Sequence, residues 1–173
     1  MGISSKPAAL VNFLDDLPDR LSKGLLSGAT QRTLAADEML FLAGDPGDGF
    51  YQVEEGLLKI SIVSAAGTER ILAILGPGSI VGDLAIIDGK PRSASVSALR
   101  DAKLLFVSRE TFGAFAEKNP QIYKYLATVL ATRLRDTDEI VAAGSFLPLK
   151  GRVARALLDL CRMRKLIIAT AES

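Results

Sequence analysis

The hydrophobic positions of this chain fall into three successive textures. Over residues 8–27, Leu10, Phe13, Leu14 and Leu17 recur at helical spacing until Pro18 interrupts them, which predicts one or two short helices. From Thr30 to Ser108 the apolar runs become short and partly alternating: TLAADEMLFLA, FYQVEEG, LLKISIVS, RILAILG, ASVSAL and KLLFVS. Turn-forming clusters cut them apart at Gly44-Asp45-Pro46-Gly47-Asp48-Gly49, Ala66-Gly67 and Gly76-Pro77-Gly78. Short strands broken by such clusters predict an antiparallel β-barrel or roll.

After Ser108, a helix cap by type, RETFGAFAEKN predicts a short helix. Asn119 and Pro120 then predict the cap and first residue of a long helix running to about Ala143. That helix carries two apolar stripes. One holds Ile122, Leu126, Val129 and Ile140; the other holds Leu130, Leu134, Thr137, Val141 and Gly144 at alternating spacings of four and three. The second is the seam expected where a helix meets its twin, although a helix buried within one chain shows two stripes as well. Beyond Pro148, GRVARALLDLCRMRK predicts a further helix in which Lys150, Arg152, Arg155, Arg162, Arg164 and Lys165 face a single Asp159. Such a charge run is ordinarily a solvated face, and it is also able to approach phosphates.

Composition narrows the chemistry. The chain has no His, which removes the usual general base and the commonest metal and haem ligand. Cys161 stands alone, so no disulfide framework or thiolate metal set exists, and a small buried hydrophobe is its expected role. A formal net charge of +1 gives no global attraction to nucleic acid. No secretory signal or membrane-spanning run is evident, so the expected compartment is the cytoplasm, with no membrane partner. No nucleophile-elbow or phosphate-loop pattern occurs, and the chain is not expected to be an enzyme.

The candidate chemistry lies in Gly82 to Val96, GDLAIIDGKPRSASV. Gly82 permits close backbone approach or positive φ. Asp83 sits where the short LAII helix begins, either as its N-cap or as an acceptor for a ribose hydroxyl. The amides at the start of that helix favour an anion in front of them. Pro91 fixes the backbone before Arg92, and Ser93 adds a hydroxyl beside it. A charge-assisted bond from Arg92 to a phosphate would contribute ~1.5–3 kcal/mol. Lysine is a poorer choice there, because an ammonium offers no planar fork to two phosphate oxygens.

Gly82-Asp83-Leu84-Ala85 followed by Pro91-Arg92-Ser93-Ala94 resembles the phosphate-binding cassette of cyclic nucleotide-binding domains. The Gly44–Gly49 turn, FYQVEEG ending at Gly56, and GPGSIVGD look like β-roll landmarks of the same family. The long helix and FLPLKGRVARALLDL are similar to the bacterial cyclic AMP receptor/fumarate-nitrate regulator transcription factors, so the resemblance covers roughly residues 10–162. It implies an α+β fold: a jelly-roll-like antiparallel β-roll (a double-stranded β-helix) with short N-terminal helices and a long C-terminal dimerisation helix. The implied units are residues 8–118 for the nucleotide-binding roll and its flanking helices, 119–144 for the dimerisation helix, and 145–173 for a hinge and the start of a truncated DNA-binding domain.

The resemblance implies a role for each matching position. Arg92 would hold the cyclic phosphate with Ser93 and the amides following Gly82, through Leu84 and Ala85. Asp83, where the family has Glu, would take the ribose 2′-hydroxyl with a side chain one methylene shorter. Ile60 and Leu72 would line the sugar and base. Thr137 falls where a threonine meets the exocyclic amine of adenine, and Arg133 where a side chain approaches the cassette. Leu130, Leu134, Thr137 and Val141 would form the dimer interface. Asp138 replaces a hydroxyl residue that in the family reaches the partner subunit's site. The implied ligand is a cyclic nucleotide, cyclic AMP foremost, with no metal or haem.

These readings lead to a cyclic AMP-sensing regulator, a homodimer in which ligand binding is coupled to helix arrangement. Family regulators continue into a winged helix-turn-helix, which is absent from this sequence, so DNA binding is expected of a full-length relative and doubtful for this chain. The alternative is a dimerisation or interaction scaffold of the same fold that no longer binds nucleotide, supported by Asp83 and opposed by Pro91-Arg92-Ser93.

Overall fold

The computed structural model describes Leu14, residues 17–146, Lys150, Gly151 and Leu157. Pro18, whose extended backbone cannot continue a preceding helix, instead caps α1 (Asp19–Leu26) and accepts amide hydrogens from Leu21 and Ser22 through its carbonyl. Then follow β1 (Thr30–Leu34), β2 (Met39–Phe41), β3 (Gly49–Val63), β4 (Glu69–Leu75), β5 (Ile80–Val81), α2 (Asp83–Asp88), β6 (Ser95–Ser108), α3 (Arg109–Lys118) and α4 (Ile122–Phe146). The α+β class and the antiparallel roll predicted from the sequence are present. Of the predicted N-terminal helices, the part before Leu14 lies outside the described residues.

The strands form one antiparallel sheet in the order β1-β6-β3-β4, with β2 also paired to β6 and β5 to β3. The runs FYQVEEG and LLKISIVS, separate in the sequence pattern, are one strand of 15 residues. The break between them is Gly56, at φ +90°, where a Cβ would strike the Asp101 carbonyl and Ala102 on the facing strand. Register shifts on either side of Gly56 keep β3 paired to β6 while bending both strands, which rolls the sheet. ASVSAL and KLLFVS likewise merge into β6.

Two apolar cores result. Leu34, Leu40, Val53, Leu58, Leu75, Val96 and Leu104 fill the inside of the roll. Leu17, Leu21 and Leu25 of the N-terminal segment, Phe112 of α3, and Ile122, Leu126 and Val129 of α4 pack against Phe50, Ile80 and Val107. Ile122, Leu126 and Val129 of the first stripe of α4 are therefore core residues of this chain.

Ser108 caps α3 as expected, its hydroxyl accepting from the Thr111 amide at 3.1 Å. The start of α4 differs from expectation. Asn119 ends α3 instead of capping α4: its amide donates to Ala116 O and its side chain to Phe115 O. Pro120 and Gln121 then form a turn, and helical structure begins at Ile122 and runs past Ala143 to Phe146. In the second stripe Leu130 is half-buried and Leu134 is 64% exposed. The side chains of Arg133, Thr137, Ile140 and Val141 lie outside the described residues, as do Arg152, Arg155, Cys161, Arg162, Arg164 and Lys165. Among the described residues, no helix is long and apolar enough to cross a membrane.

Candidate functional site

Between β3, β4, β5, α2 and the loop after α2 lies a cavity of about 280 Å³. Its lining includes Ile60, Leu72, Gly82, Asp83, Leu84, Ala85, Arg92 and Ser93, so eight of the ten candidate binding residues share one concave surface. Phe41, Leu75, Ile80 and Val96 add apolar surface to the same cavity. Leu72 and Leu84 remain about half exposed at 51% and 44%. Arg133 and Thr137, the other two candidates, are on α4 with side chains outside the described residues.

Arg92 dominates the polar edge and is only 5% exposed. Its Nη1 donates to Gly49 O at 2.8 Å and Gly82 O at 3.0 Å, and its Nη2 to Asp48 Oδ1 at 2.6 Å. The guanidinium carbon stands 4.2 Å from the centre of the Phe41 ring and 6.0 Å from that of Tyr51. Its Nε is buried and finds no hydrogen-bond partner among the described residues. A buried donor left unmatched costs about 1–3 kcal/mol, so this N–H marks where an acceptor belongs.

The cassette backbone brings Gly82 against the arginine. Gly82 adopts φ +86°, and a Cβ there would collide with Arg92 Nη1. Gly82, and not Asp83, is the N-cap of α2; Asp83 is the first helical residue, 95% buried. The N-cap role open to Asp83 in the sequence is thus taken by a backbone position that only glycine fills without strain. Gly89 closes α2, its amide donating to Ala85 O at 3.1 Å.

Arg109 ties this cassette to its surroundings. Its Nη2 donates to Ala85 O in α2 at 2.6 Å and to Gly47 O in the β2–β3 loop at 2.9 Å, and its own amide donates to Asp48 O. Asp48, Gly49, Phe41 and Arg109 were not among the sequence candidates. The Gly44–Gly49 cluster was legible only as a turn, although its acid, Asp48, is the residue placed on Arg92. Phe41 and Arg109 carry no local signal, since Arg92 lies far along the chain from Phe41, and Ala85 and Gly47 lie 24 and 62 residues from Arg109.

Chemically, the site offers a buried cation with an unused donor, a buried carboxylate, a backbone opened by glycine and an apolar chamber. It suits a compact anion that carries both hydroxyl and apolar parts. Among the described residues, no group of three or more His, Cys, Asp or Glu is placed to hold a metal ion.

Residues 31–119 match the cyclic nucleotide-binding domain family. Over 137 residues the chain is 37% identical to the cyclic AMP receptor protein of Thermus thermophilus, covering 79% of this chain and 63% of that protein. Over 123 residues it is 34% identical to the CRP-like cAMP-activated global transcriptional regulator of Mycobacterium tuberculosis, covering 71% and 55% respectively. The crystal structure of Thermus thermophilus catabolite activator protein superposes with a TM-score of 0.71 at 34% identity, covering 87% of this chain and 71% of that one. The chain thus spans 55–63% of the length of these two curated relatives. Since the matched stretch takes in more than half of the chain and every residue of the cavity wall, the protein belongs to the cyclic nucleotide-binding domain family.

Proposed function

We propose that this protein is a cyclic nucleotide sensor whose ligand is cyclic AMP. The observation that carries the reading is Arg92, a buried residue of the cavity lining whose Nε has no hydrogen-bond partner among the described residues. The cyclic phosphate would take Arg92 Nε, the Ser93 hydroxyl and the amides that follow Gly82. Asp83 would accept from the ribose 2′-hydroxyl, directly or through a water, and Ile60 and Leu72 would cover the sugar and base. Two relatives named for cyclic AMP support the choice of ligand. The assignment of the purine rests on Thr137, which would accept or donate at the exocyclic position of the base, with Arg133 approaching the cassette from the same helix.

Signalling would run through α4. Leu134 is 64% exposed beside the half-buried Leu130, which supports a seam of Leu130, Leu134, Thr137 and Val141 against a second copy of the chain. A ligand bridging the roll and α4 favours whichever helix arrangement it binds more tightly, by its differential affinity alone. The domain boundaries at 118 and 144 belong to this reading, as does a regulatory link to DNA in a longer family member.

One observation favours the scaffold alternative. Arg92 already joins Asp48, Gly49 and Gly82, which gives it a structural role without any nucleotide. Calorimetric titration with cyclic AMP and cyclic GMP separates the two readings, because a scaffold takes up neither. A Thr137→Ala variant that narrows the preference between the two purines supports the base assignment, and an unchanged preference removes it.

A further inference from the structure

We propose that Phe41 is the positioning residue for the phosphate-binding arginine, aimed at it by a bulge in β2. The inference rests on the reading of Arg92 as the phosphate anchor and adds what holds that anchor in orientation.

The first observation is the register of β2. Met39 faces Ser97 and Phe41 faces Val96, so two steps along β2 pass a single step along β6. Regular alternation would put Leu40 inside and both Met39 and Phe41 outside. Met39 is outside, 46% exposed, and Leu40 inside, 6% exposed. Phe41 departs from the alternation: it is half-buried, packs with the interior of the roll and lines the cavity. Bulges re-aim side chains beside functional sites in this way.

The second observation is what Phe41 meets there. Its ring covers the Arg92 guanidinium at 4.2 Å, well inside the range of a cation–π contact. Behind it the ring leans on Tyr51 at 6.1 Å, and Tyr51 on Phe106 at 4.8 Å, so the platform is braced by two strands. The third observation is the donor count. Nη1 uses both of its N–H groups on Gly49 O and Gly82 O, and Nη2 uses one on Asp48. An arginine has five N–H donors, so Nε and the second N–H of Nη2 are left without a partner among the described residues, with one π-face covered by Phe41. Acceptors fix three of the N–H groups, and the ring face opposes rotation of the plane that carries the others.

The test combines titration with a spectroscopic reading of Arg92 itself. Phe41→Leu keeps an apolar side chain but removes the ring face, and it should weaken cyclic AMP binding about five- to ten-fold. Phe41→Tyr, which restores an aromatic face, should stay within about twofold of the parent protein on the same grounds. The ¹⁵N-resolved Nε–H signal of Arg92, assigned by its loss in Arg92→Lys, should carry a ring-current shift in the parent and in Phe41→Tyr and lose it in Phe41→Leu. A Phe41→Leu protein that binds like the parent, or an Nε–H signal that does not move, overturns the inference while leaving the nucleotide reading intact. A parent protein that binds neither cyclic AMP nor cyclic GMP fails the nucleotide reading, and the positioning role falls with it.

Discussion

Arg92 and Asp48 meet at 2.6 Å in an ion pair whose two halves live in different media: the arginine side chain is 2% exposed, the aspartate 63%. The buried cation has a partner that water reaches and screens. A ligand phosphate arriving at Arg92 would sit close to that carboxylate and be repelled by it. Asp48→Asn keeps an oxygen to accept from Nη2 and removes the repulsion. Arg92 would still be held by Gly49 O, Gly82 O and the Phe41 ring. The expected outcome is tighter cyclic AMP binding, about two- to five-fold, with stability lowered by about 1 kcal/mol for the lost charge on the hydrogen bond. Titration and thermal unfolding of the same variant check both signs.

Gly82→Ala attacks the site through the backbone. At φ +86° a side chain costs ~1–2 kcal/mol by itself, and here the new methyl would also displace Arg92 Nη1. The expected result is a loss of at least about ten-fold in nucleotide affinity, alongside a drop in thermal midpoint of several degrees. A variant that binds normally would mean that the arginine is not held as described.

Arg109→Met keeps the aliphatic stem and removes the two bonds to Gly47 O and Ala85 O. Arg109 is an exposed cation in the first turn of α3, an unfavourable place for positive charge, so its removal should cost little global stability. Loosening should be local instead. Hydrogen exchange at the Gly89 amide, which is bonded to Ala85 O, should accelerate, and cyclic AMP affinity should fall about three- to ten-fold. Unchanged exchange at Gly89 would separate Arg109 from the cassette.

Burial raises the Tyr51 phenol above its ordinary value of 10.0, with the Asp48 carboxylate adding to the shift and Arg32 and Arg92 opposing it. The folded state therefore holds the phenolic proton more tightly than the unfolded state. Its contribution to stability is complete below the unfolded value and is lost as pH rises through the folded one. Tyr51→Phe should accordingly lose less stability than the parent protein as pH rises above about 10, as read by denaturant unfolding at each pH.

The sequence disclosed the cassette because its parts are local. Gly82, Asp83, Arg92 and Ser93 lie within 12 residues, and the chain between them can only turn back. It disclosed the core stripe of α4 because Ile122, Leu126 and Val129 keep a strict helical spacing. It hid the continuity of β3 because Gly56 reads as a terminator, whereas opposite Asp101 and Ala102 it serves as a bend within a strand. It hid the environment of Arg92 for a different reason. Asp48 comes from a turn and Phe41 from a bulged strand, and neither identity nor spacing announces a partner more than 40 residues away. Asn119 misled through competition: a good N-cap type was already engaged in ending the previous helix.

The most direct test of the account is the cyclic AMP affinity of the protein beside that of Arg92→Ala, measured by calorimetry in the same buffer. The account predicts micromolar or tighter binding by the parent and a loss of at least about ten-fold in the variant, the worth of a charge-assisted phosphate bond. Equal binding by the two proteins, or no heat and no thermal shift from the parent with cyclic AMP or cyclic GMP, would contradict it and leave the cavity as part of a scaffold.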